Sequence, residues 1–354
     1  MLLTFGAATS AAVGARAGEA ADLLDGFAAA DCSDEGPAWV LYLDIGGEAG
    51  SVACGRERRG GLRASADSRF LIASVSKLYL AVALMQLNEA GHLDIDDPAA
   101  RWLPAGLVEK LGGLLDGVSI ANLLTMTSGL PDYLDDAYSQ SSIADARAGI
   151  AGRDILIKAV TGIAEEPRLF EPGASFDYSN TNYLLAQLVL EKAAGAPMYE
   201  VFEDRIFRPA GLTGTRLLGY GIGPAGFVQG FEDFGKGLEP VDAYLTGYGF
   251  GDGGLVTTAA EVSGFYKALF EYGVLLSDDS LERLLMDPSG EGYGMGIEIE
   301  SLAGVGEVLG HSGGDTGFSA DIRYVPEHGV TVVYLSALAE DDLSVTWELL
   351  EELP

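Results

Sequence analysis

Alternation of apolar and polar positions near the two ends of the chain predicts β-strands. Residues Trp39–Ile45 alternate, a Gly-Gly turn follows, and residues 51–54 resume the extended pattern, which predicts a hairpin. The turn at residues 326–329 predicts a second hairpin, because strand-like runs flank it. The predicted strands of the C-terminal part are residues 294–299, 319–325 and 330–336.

The middle of the chain shows helical periodicity instead. After Ser74 the apolar residues recur at helical spacing as far as residue 90, and Gly91 marks a stop. Beyond about Gly214 the sequence becomes rich in glycine and extended residues. The other predicted helices are residues 119–126, 154–160, 181–194 and 198–207, followed by 258–272, 280–286 and 343–353.

This order of elements predicts the fold class and the domains. Strands at both ends around a helical middle suggest an α/β (α+β) fold with one antiparallel sheet built from both termini and flanked by helices. We expect residues 1–73 and 214–354 to form a sheet-containing domain and residues 74–213 to form a mainly helical domain. The active site is then expected in the cleft between them. With 48% hydrophobic residues in 354, the chain can bury a sizeable core.

The formal net charge of −32 argues against binding to nucleic acids or anionic membranes, because phosphates would be repelled. Uninterrupted apolar runs of 18 or more residues are absent, so the sequence predicts no membrane span. The acidity fits either a highly soluble surface or adaptation to high salt, and the sequence leaves both open.

The cysteines and the N-terminus leave further alternatives open. Cys32 and Cys54 can pair or stay free. The apolar start ends in Ala15-Arg16-Ala17, which loosely matches a signal-peptide cleavage site but follows a segment without basic residues. If this segment is a signal remnant, we expect the protein to be exported or periplasmic in a bacterial-type cell. Otherwise we expect it to be cytoplasmic, and the segment could equally begin a helix.

The histidines lack the spacing of a metal site. His92, His311 and His328 lie far apart, and the sequence contains neither a CxxC pair nor a phosphate loop. We therefore expect neither a metal nor a cofactor. The oligomeric state stays open.

Ser74 and Lys77 form the first segment with chemical potential. Three residues apart on a helix, they share one face. A serine hydroxyl is a weak nucleophile until a base takes its proton, and a buried lysine with a lowered pKa can do so. The N–H groups at the helix start suit an oxyanion. The alternative is a helix-capping serine beside a solvated lysine.

Tyr178 and Asn180 form the second segment. A phenol and an amide two residues apart project to the same side of an extended segment. The phenol can pass a proton between nucleophile and leaving group, and the amide can orient Lys77 and bind a substrate carbonyl. The alternative is that Ser179 or Asn180 only caps the helix that follows.

His311, Ser312, Gly313 and Gly314 form the third segment, expected as a strand edge that lines the cleft. His311 can contact substrate, and the Gly314 N–H can act as a second oxyanion donor. Residues 310–314 also match Gly-x-Ser-x-Gly, the nucleophile elbow of α/β-hydrolases. An elbow needs strand, turn and helix in that order, whereas a strand-like run follows here, and its histidine would have to be His328.

The three segments together resemble the serine β-lactamase and penicillin-binding protein superfamily. The three motifs of this superfamily are Ser-x-x-Lys, Tyr-x-Asn and a final [Lys/His]-x-Gly. The form with tyrosine in the second motif is similar to class C β-lactamases, D-alanyl-D-alanine carboxypeptidases and β-lactamase-like carboxylesterases. All three in this order would arise by chance about once in a thousand sequences of this composition. Residues 123–131, 170–194 and 253–260 resemble the family as well.

The resemblance implies a β-lactamase/DD-peptidase-like fold and a role for each residue. Ser74 would be the nucleophile, Lys77 its base or electrostatic partner, and Tyr178 the proton shuttle. Asn180 would position groups, and the N–H groups of Ser74 and Gly314 would bind the oxyanion.

His311 departs from the lysine of efficient class C β-lactamases. A neutral imidazole attracts a substrate carboxylate less firmly than an ammonium. We therefore expect an acyl-enzyme carboxylesterase acting on short acyl esters. The alternatives are a D-alanyl-D-alanine carboxypeptidase or D-amino-acid amidase, a weak class C-like β-lactamase, and a non-catalytic ligand sensor. The expected partner is a small ester or amide substrate.

Overall fold

A computed structural model describes residues 20, 23–24, 32–134, 152–242 and 249–353. The possible signal segment, residues 1–17, lies outside these residues. A six-stranded antiparallel sheet forms the centre of the sheet-containing part, in the order β2-β1-β11-β10-β9-β8. Its strands are β1 (Trp39–Ile45), β2 (Glu48–Cys54), β8 (Glu298–Leu302), β9 (Gly306–Asp315), β10 (Phe318–Val325) and β11 (Val330–Ser336). Both ends of the chain therefore contribute to one sheet, as predicted.

Short strands and ten described helices complete the fold. The short strands are β3 (Phe70–Leu71), β4 (Arg216–Leu217), β5 (Phe231–Asp233), β6 (Leu238–Pro240) and β7 (Leu255–Thr257). The helices are α1 (Ser76–Glu89), α2 (Ala105–Leu111), α3 (Ile120–Leu124), α4 (Arg153–Gly162), α5 (Thr181–Ala194), α6 (Met198–Phe202), α7 (Arg208–Ala210), α8 (Ala259–Phe270), α9 (Asp278–Leu284) and α10 (Val345–Glu351). Within these described ranges every helix is too short or too polar to cross a bilayer.

The sheet is covered on both faces. Helix α8 packs against β1 and β11, and α10 packs against β10 and β11. Every residue of β10 and β11 is consequently buried. Strand β11 is accordingly a nearly continuous apolar run, whereas the buried Asp321 and Arg323 of β10 pair with each other.

Helix α1 lies at the centre of the helical part. It contacts α5, α6 and α9, and its residues from Ser76 to Met85 are all buried. A helix buried on all sides is apolar all round, which explains its nearly uninterrupted hydrophobic sequence. Helices α1–α7 all fall within residues 74–213, and strands β4–β11 all follow residue 213. The division into residues 1–73 with 214–354 and residues 74–213 agrees with this order and stays a proposal.

Two predicted elements differ from the structure. The strand predicted at residues 294–299 begins only at Glu298, because Gly296 adopts a φ of +73° where the chain turns against the Lys77 backbone. The helix predicted at residues 198–207 is α-helical only over α6 and continues as a π-helical turn, Glu203–Phe207. Apolar periodicity does not distinguish these two helix types over five residues.

Cys32 and Cys54 form a disulfide with a Cα–Cα distance of 5.6 Å, which settles the pairing that the sequence left open. The bond joins residues 22 apart and fastens the segment before β1 to the end of β2. We expect the double variant Cys32→Ser/Cys54→Ser to lose about 3 kcal/mol of unfolding free energy in urea denaturation, because its unfolded chain gains entropy. Reductant should lower the stability of the wild type by a similar amount and leave the double variant unchanged. An unchanged wild type would show that the bond does not stabilise the fold.

Candidate active site

Ser74 lies in a 3₁₀ turn, Ala73–Val75, that leads directly into α1. The preceding residue, Ala73, has a φ of +46°, a conformation that L-residues rarely adopt. Strain of this kind persists only where surrounding structure enforces it, and it is common at functional sites. Strand β9 lies against this turn, since a Cβ on Gly313 would come within 2.5 Å of the Ile72 carbonyl oxygen.

Lys77 is fully buried, and its ammonium group joins three elements of the fold. Nζ lies 2.8 Å from each of three oxygens: Oγ of Ser74, Oδ1 of Asn180 and the carbonyl of Asp252. Burial lowers the pKa of Lys77 to about 8, against the opposing effect of the Asp252 carboxylate and its neighbours. A neutral Lys77 can donate to Asn180 and Asp252 while its lone pair accepts the Ser74 hydroxyl proton.

This lowered pKa predicts the pH dependence of catalysis. If neutral Lys77 is the base, kcat/KM for an ester should rise with pH below about 8 and level off above it. Rates corrected for spontaneous hydrolysis between pH 5.5 and 9.5 would measure this, with circular dichroism showing that the fold persists throughout. A flat profile, or one that falls as pH rises through 8, would contradict a lysine base.

Tyr178 completes the group around Ser74. Ser74 lies close enough to the phenol to oppose the rise of its pKa, and the ring centroid lies 5.1 Å from Lys77 Nζ. Tyr293 meets the Tyr178 ring edge-on at 6.0 Å between centroids. Burial raises the pKa of Tyr178, so the group stays a phenol that can both donate and accept a proton.

Asp132, which the sequence analysis missed, fixes Asn180. Its carboxylate accepts two hydrogen bonds from Asn180, one from the side-chain Nδ2 at 2.9 Å and one from the backbone N–H at 3.0 Å. This turns Asn180 Oδ1 toward Lys77. Asn180 stands at the N-cap position of α5 without a side-chain capping bond, so its amide serves the Lys77 contact rather than the helix.

Asp252 is a second residue that sequence reasoning missed. Its carbonyl accepts from Lys77, and its carboxylate accepts from the Tyr133 hydroxyl at 2.6 Å. Both aspartates directly adjoin segments that resembled the family, residues 123–131 and 253–260. Proximity to those segments was the available signal, but the contacts themselves join residues 48 to 175 positions apart.

Strand β9 presents a free edge beyond Gly310, where its pairing with β8 ends at Glu298. The Ser312 N–H donates across that edge to Glu298 Oε1 at 3.3 Å. Because N–H groups alternate in direction along a strand, the Gly314 N–H points to the same side. The expected oxyanion donors, Ser74 N–H and Gly314 N–H, therefore come from segments in contact, since a Cβ on Gly313 would lie 3.2 Å from Ser74 N.

His311 lies behind the site rather than in the open cleft. Its ring is 2% exposed; Nε2 lies 3.0 Å from the Tyr293 hydroxyl and Nδ1 2.5 Å from the Ser312 carbonyl. Burial lowers the pKa of His311 despite the nearby Glu298 carboxylate. The ring is therefore neutral at pH 7, and its expected contact with substrate is limited by its burial.

Ser312 does not stand on a nucleophile elbow. Residues 310–314 all belong to β9, and β10 follows after one tight turn. The Ser312 hydroxyl donates to Glu298 Oε1 at 3.2 Å. His328 lies in the turn between β10 and β11, outside every strand–turn–helix arrangement in the described residues. The elbow alternative therefore lacks its structural context.

A serine, a buried lysine one turn away, a tyrosine from a distant loop and a glycine-rich strand therefore lie together at one place in the fold. The family model described as Beta-lactamase matches residues 18–352, and the chain belongs to this family.

Curated relatives extend the comparison. The chain is 31% identical over 294 residues to penicillin-binding protein 4* of Bacillus subtilis, covering 78% of this chain and 62% of that one. It is 33% identical over 161 residues to esterase EstB of Burkholderia gladioli, covering 44% and 40% of the two chains. The chain thus spans less than two thirds of the length of these relatives.

Solved structures agree with the fold. A D-stereospecific amidohydrolase from Streptomyces sp. superposes with a TM-score of 0.74 at 27% identity, covering 96% of this chain and 97% of that one. The mixed α/β fold with an antiparallel sheet is therefore that of the family, and members of this family are serine hydrolases.

Proposed function

We propose that the protein is a serine hydrolase that forms an acyl-enzyme on Ser74 and cleaves short acyl esters. The contact between Lys77 Nζ and Ser74 Oγ, 2.8 Å apart inside the protein, carries this proposal. Lys77 is fully buried and its ammonium group also donates to Asn180 and Asp252. These contacts argue against the role of a solvated surface charge.

The chemistry follows from the contacts. Neutral Lys77 takes the Ser74 proton as Oγ bonds to the acyl carbon, and the N–H groups of Ser74 and Gly314 receive the developing oxyanion. The bond from the acyl carbon to the leaving alcohol then breaks, while Tyr178 relays the proton from Lys77 to the alcohol oxygen. A water molecule next attacks the acyl carbon and gives up one proton along the same route. The Ser74–acyl bond breaks, Ser74 regains its proton, and the acid departs.

Because His311 is neutral, we expect substrates without a carboxylate beside the scissile bond to be preferred. Substrates that carry a carboxylate beside the scissile bond, such as β-lactams and D-alanyl-D-alanine peptides, benefit from a cation that this position lacks. Similarity to EstB supports an ester substrate, and similarity to the Streptomyces amidohydrolase supports an amide of an amino acid as the second candidate.

A substrate panel tests the proposal. We expect clear hydrolysis of p-nitrophenyl acetate and butyrate, with weak or absent turnover of nitrocefin and of D-alanyl-D-alanine peptides. Mass spectrometry after exposure to a fluorophosphonate should find one adduct, on Ser74. Rapid nitrocefin cleavage would overturn the argument from His311, and absence of both turnover and adduct would favour the non-catalytic ligand sensor.

A further inference from the structure

Asp315 is the last residue of β9, one position beyond Gly314. His311 faces the Tyr178 ring at 6.1 Å between centroids, and the missing side chain of Gly313 would point at the Ser74 turn. Because alternate residues of a strand share a face, Asp315 projects from β9 on this same side. Its side chain stays accessible to solvent.

The Asp315 carboxylate lacks a tight partner among the described residues. Oδ1 accepts the N–H of the adjacent Thr316 at 2.7 Å, and the ion pairs of the described residues do not include Asp315. The protein around it, together with the carboxylates of Asp252 and Glu232, raises its pKa to about 6 against the lowering effect of Lys77. The group is therefore mainly ionised at pH 7 and gains from a cation placed beside it.

The charges around Ser74 are predominantly negative. Asp252, Asp132 and Asp315 all act on the Lys77 ammonium group. Lys77 itself directs its donors to three protein oxygens, so it has no donor left for a substrate carboxylate while those bonds persist. A cleft lined by one sign of charge concentrates ligands of the opposite sign and repels those of its own sign.

The position of the oxyanion donors sets where a substrate cation would sit. With the carbonyl oxygen held between the N–H groups of Ser74 and Gly314, the α-substituent of the acyl group lies three bonds from that oxygen. Asp315 follows Gly314 and shares a strand face with Gly313, which meets the Ser74 turn, so we expect its carboxylate to face an α-ammonium group at this place.

Building on the acyl-enzyme proposed above, we propose that Asp315 binds the α-ammonium group of the substrate and that the enzyme therefore acts on esters and amides of free amino acids. Asp315 is then a specificity-determining residue. It takes no part in proton transfer, and the bonds that form and break at Ser74 stay as described. An acyl group with an anion at the same place is disfavoured.

An isosteric substrate pair isolates this interaction. In methyl isobutyrate a methyl group replaces the ammonium group of alanine methyl ester, while the rest of the molecule is the same size. We expect the wild type at pH 7 to prefer the better enantiomer of alanine methyl ester, measured by acid release. In Asp315→Asn the ratio of kcat/KM for the two esters should fall about 30-fold, as expected for one charge-assisted contact.

A matched control separates this contact from net charge. Glu327 lies exposed in the β10–β11 turn, at the end of β9 opposite to Asp315, where it approaches Gly306. Glu327→Gln removes one negative charge and should leave the substrate ratio unchanged. A ratio that falls equally in both variants would attribute the preference to the overall charge and overturn the role of Asp315.

The remaining outcomes distinguish the two proposals. If the wild type cleaves p-nitrophenyl acetate but does not prefer the alanine ester, or if Asp315→Asn keeps the wild-type ratio, the ammonium site is wrong and the acyl-enzyme stands. If monomethyl succinate is cleaved as readily as methyl isobutyrate, the charge argument fails in the same way. If the wild type cleaves none of these esters and Ser74 takes up no fluorophosphonate, the proposed function itself is wrong.

Discussion

Replacing Ser74 with alanine should lower kcat for ester hydrolysis by about 10⁴-fold or more, because no other hydroxyl can form the acyl-enzyme at this place. The Ser74 side chain is small and accepts a hydrogen bond from Lys77, so its loss leaves the packing of α1 intact. Substrate affinity and thermal stability should change little. The measurement is burst and steady-state kinetics with p-nitrophenyl acetate, together with intact-protein mass spectrometry.

Ser312→Ala is the matched control for this prediction. Ser312 also lies at the site, but its hydroxyl is committed to Glu298. Losing that bond should loosen the free edge of β9 and reduce activity by about tenfold or less, with acylation still on Ser74. If Ser312→Ala abolished the reaction while Ser74→Ala retained it, the nucleophile would have to be reassigned.

Lys77→Met should lower kcat/KM by about 10³-fold while the protein stays folded. Two effects on stability oppose each other. Holding an ammonium group at a pKa of about 8 costs about 3 kcal/mol at neutral pH, which methionine removes. The variant also leaves the Asp252 carbonyl and Asn180 Oδ1 without their donor, at a cost of about 1–3 kcal/mol. The net change in unfolding free energy should therefore be small.

For Lys267→Met we expect the opposite result, a loss of stability without a loss of kcat. Lys267 is 8% exposed and pairs with the buried Asp44, away from Ser74. Removing one partner of a buried ion pair leaves the other charge uncompensated and typically costs about 3–5 kcal/mol. We expect Lys267→Met to lose stability in urea denaturation and to keep its kcat at a temperature where it is folded. If Lys77→Met were the less stable variant, the role of Lys77 would be mainly structural.

The local pattern of apolar and polar residues was sufficient to predict most of the secondary structure. Strands β1 and β11 and helix α5 have the predicted bounds, because apolar periodicity and glycine turns act within a few residues. The short strands β4–β7 were not predicted. Two or three residues are too few to show a period, and their pairing depends on distant partners.

The sequence by itself determined the family, the antiparallel sheet built from both termini, and the motif residues Ser74, Lys77 and Tyr178. Residue type and short spacing encode the motifs and the individual strands, and the position of those strands near both ends of the chain predicted a single sheet.

Only the tertiary structure decided how the site is charged. Asp132 and Asp252 reach Lys77 and Asn180 across long stretches of chain, and His311 becomes neutral because the fold buries its ring. Asp315 acts on the Lys77 ammonium group because strand β9, which carries it, packs against the Ser74 turn. A pKa and an electric field depend on burial and on every neighbouring charge, and those are properties of the packed fold rather than of any segment.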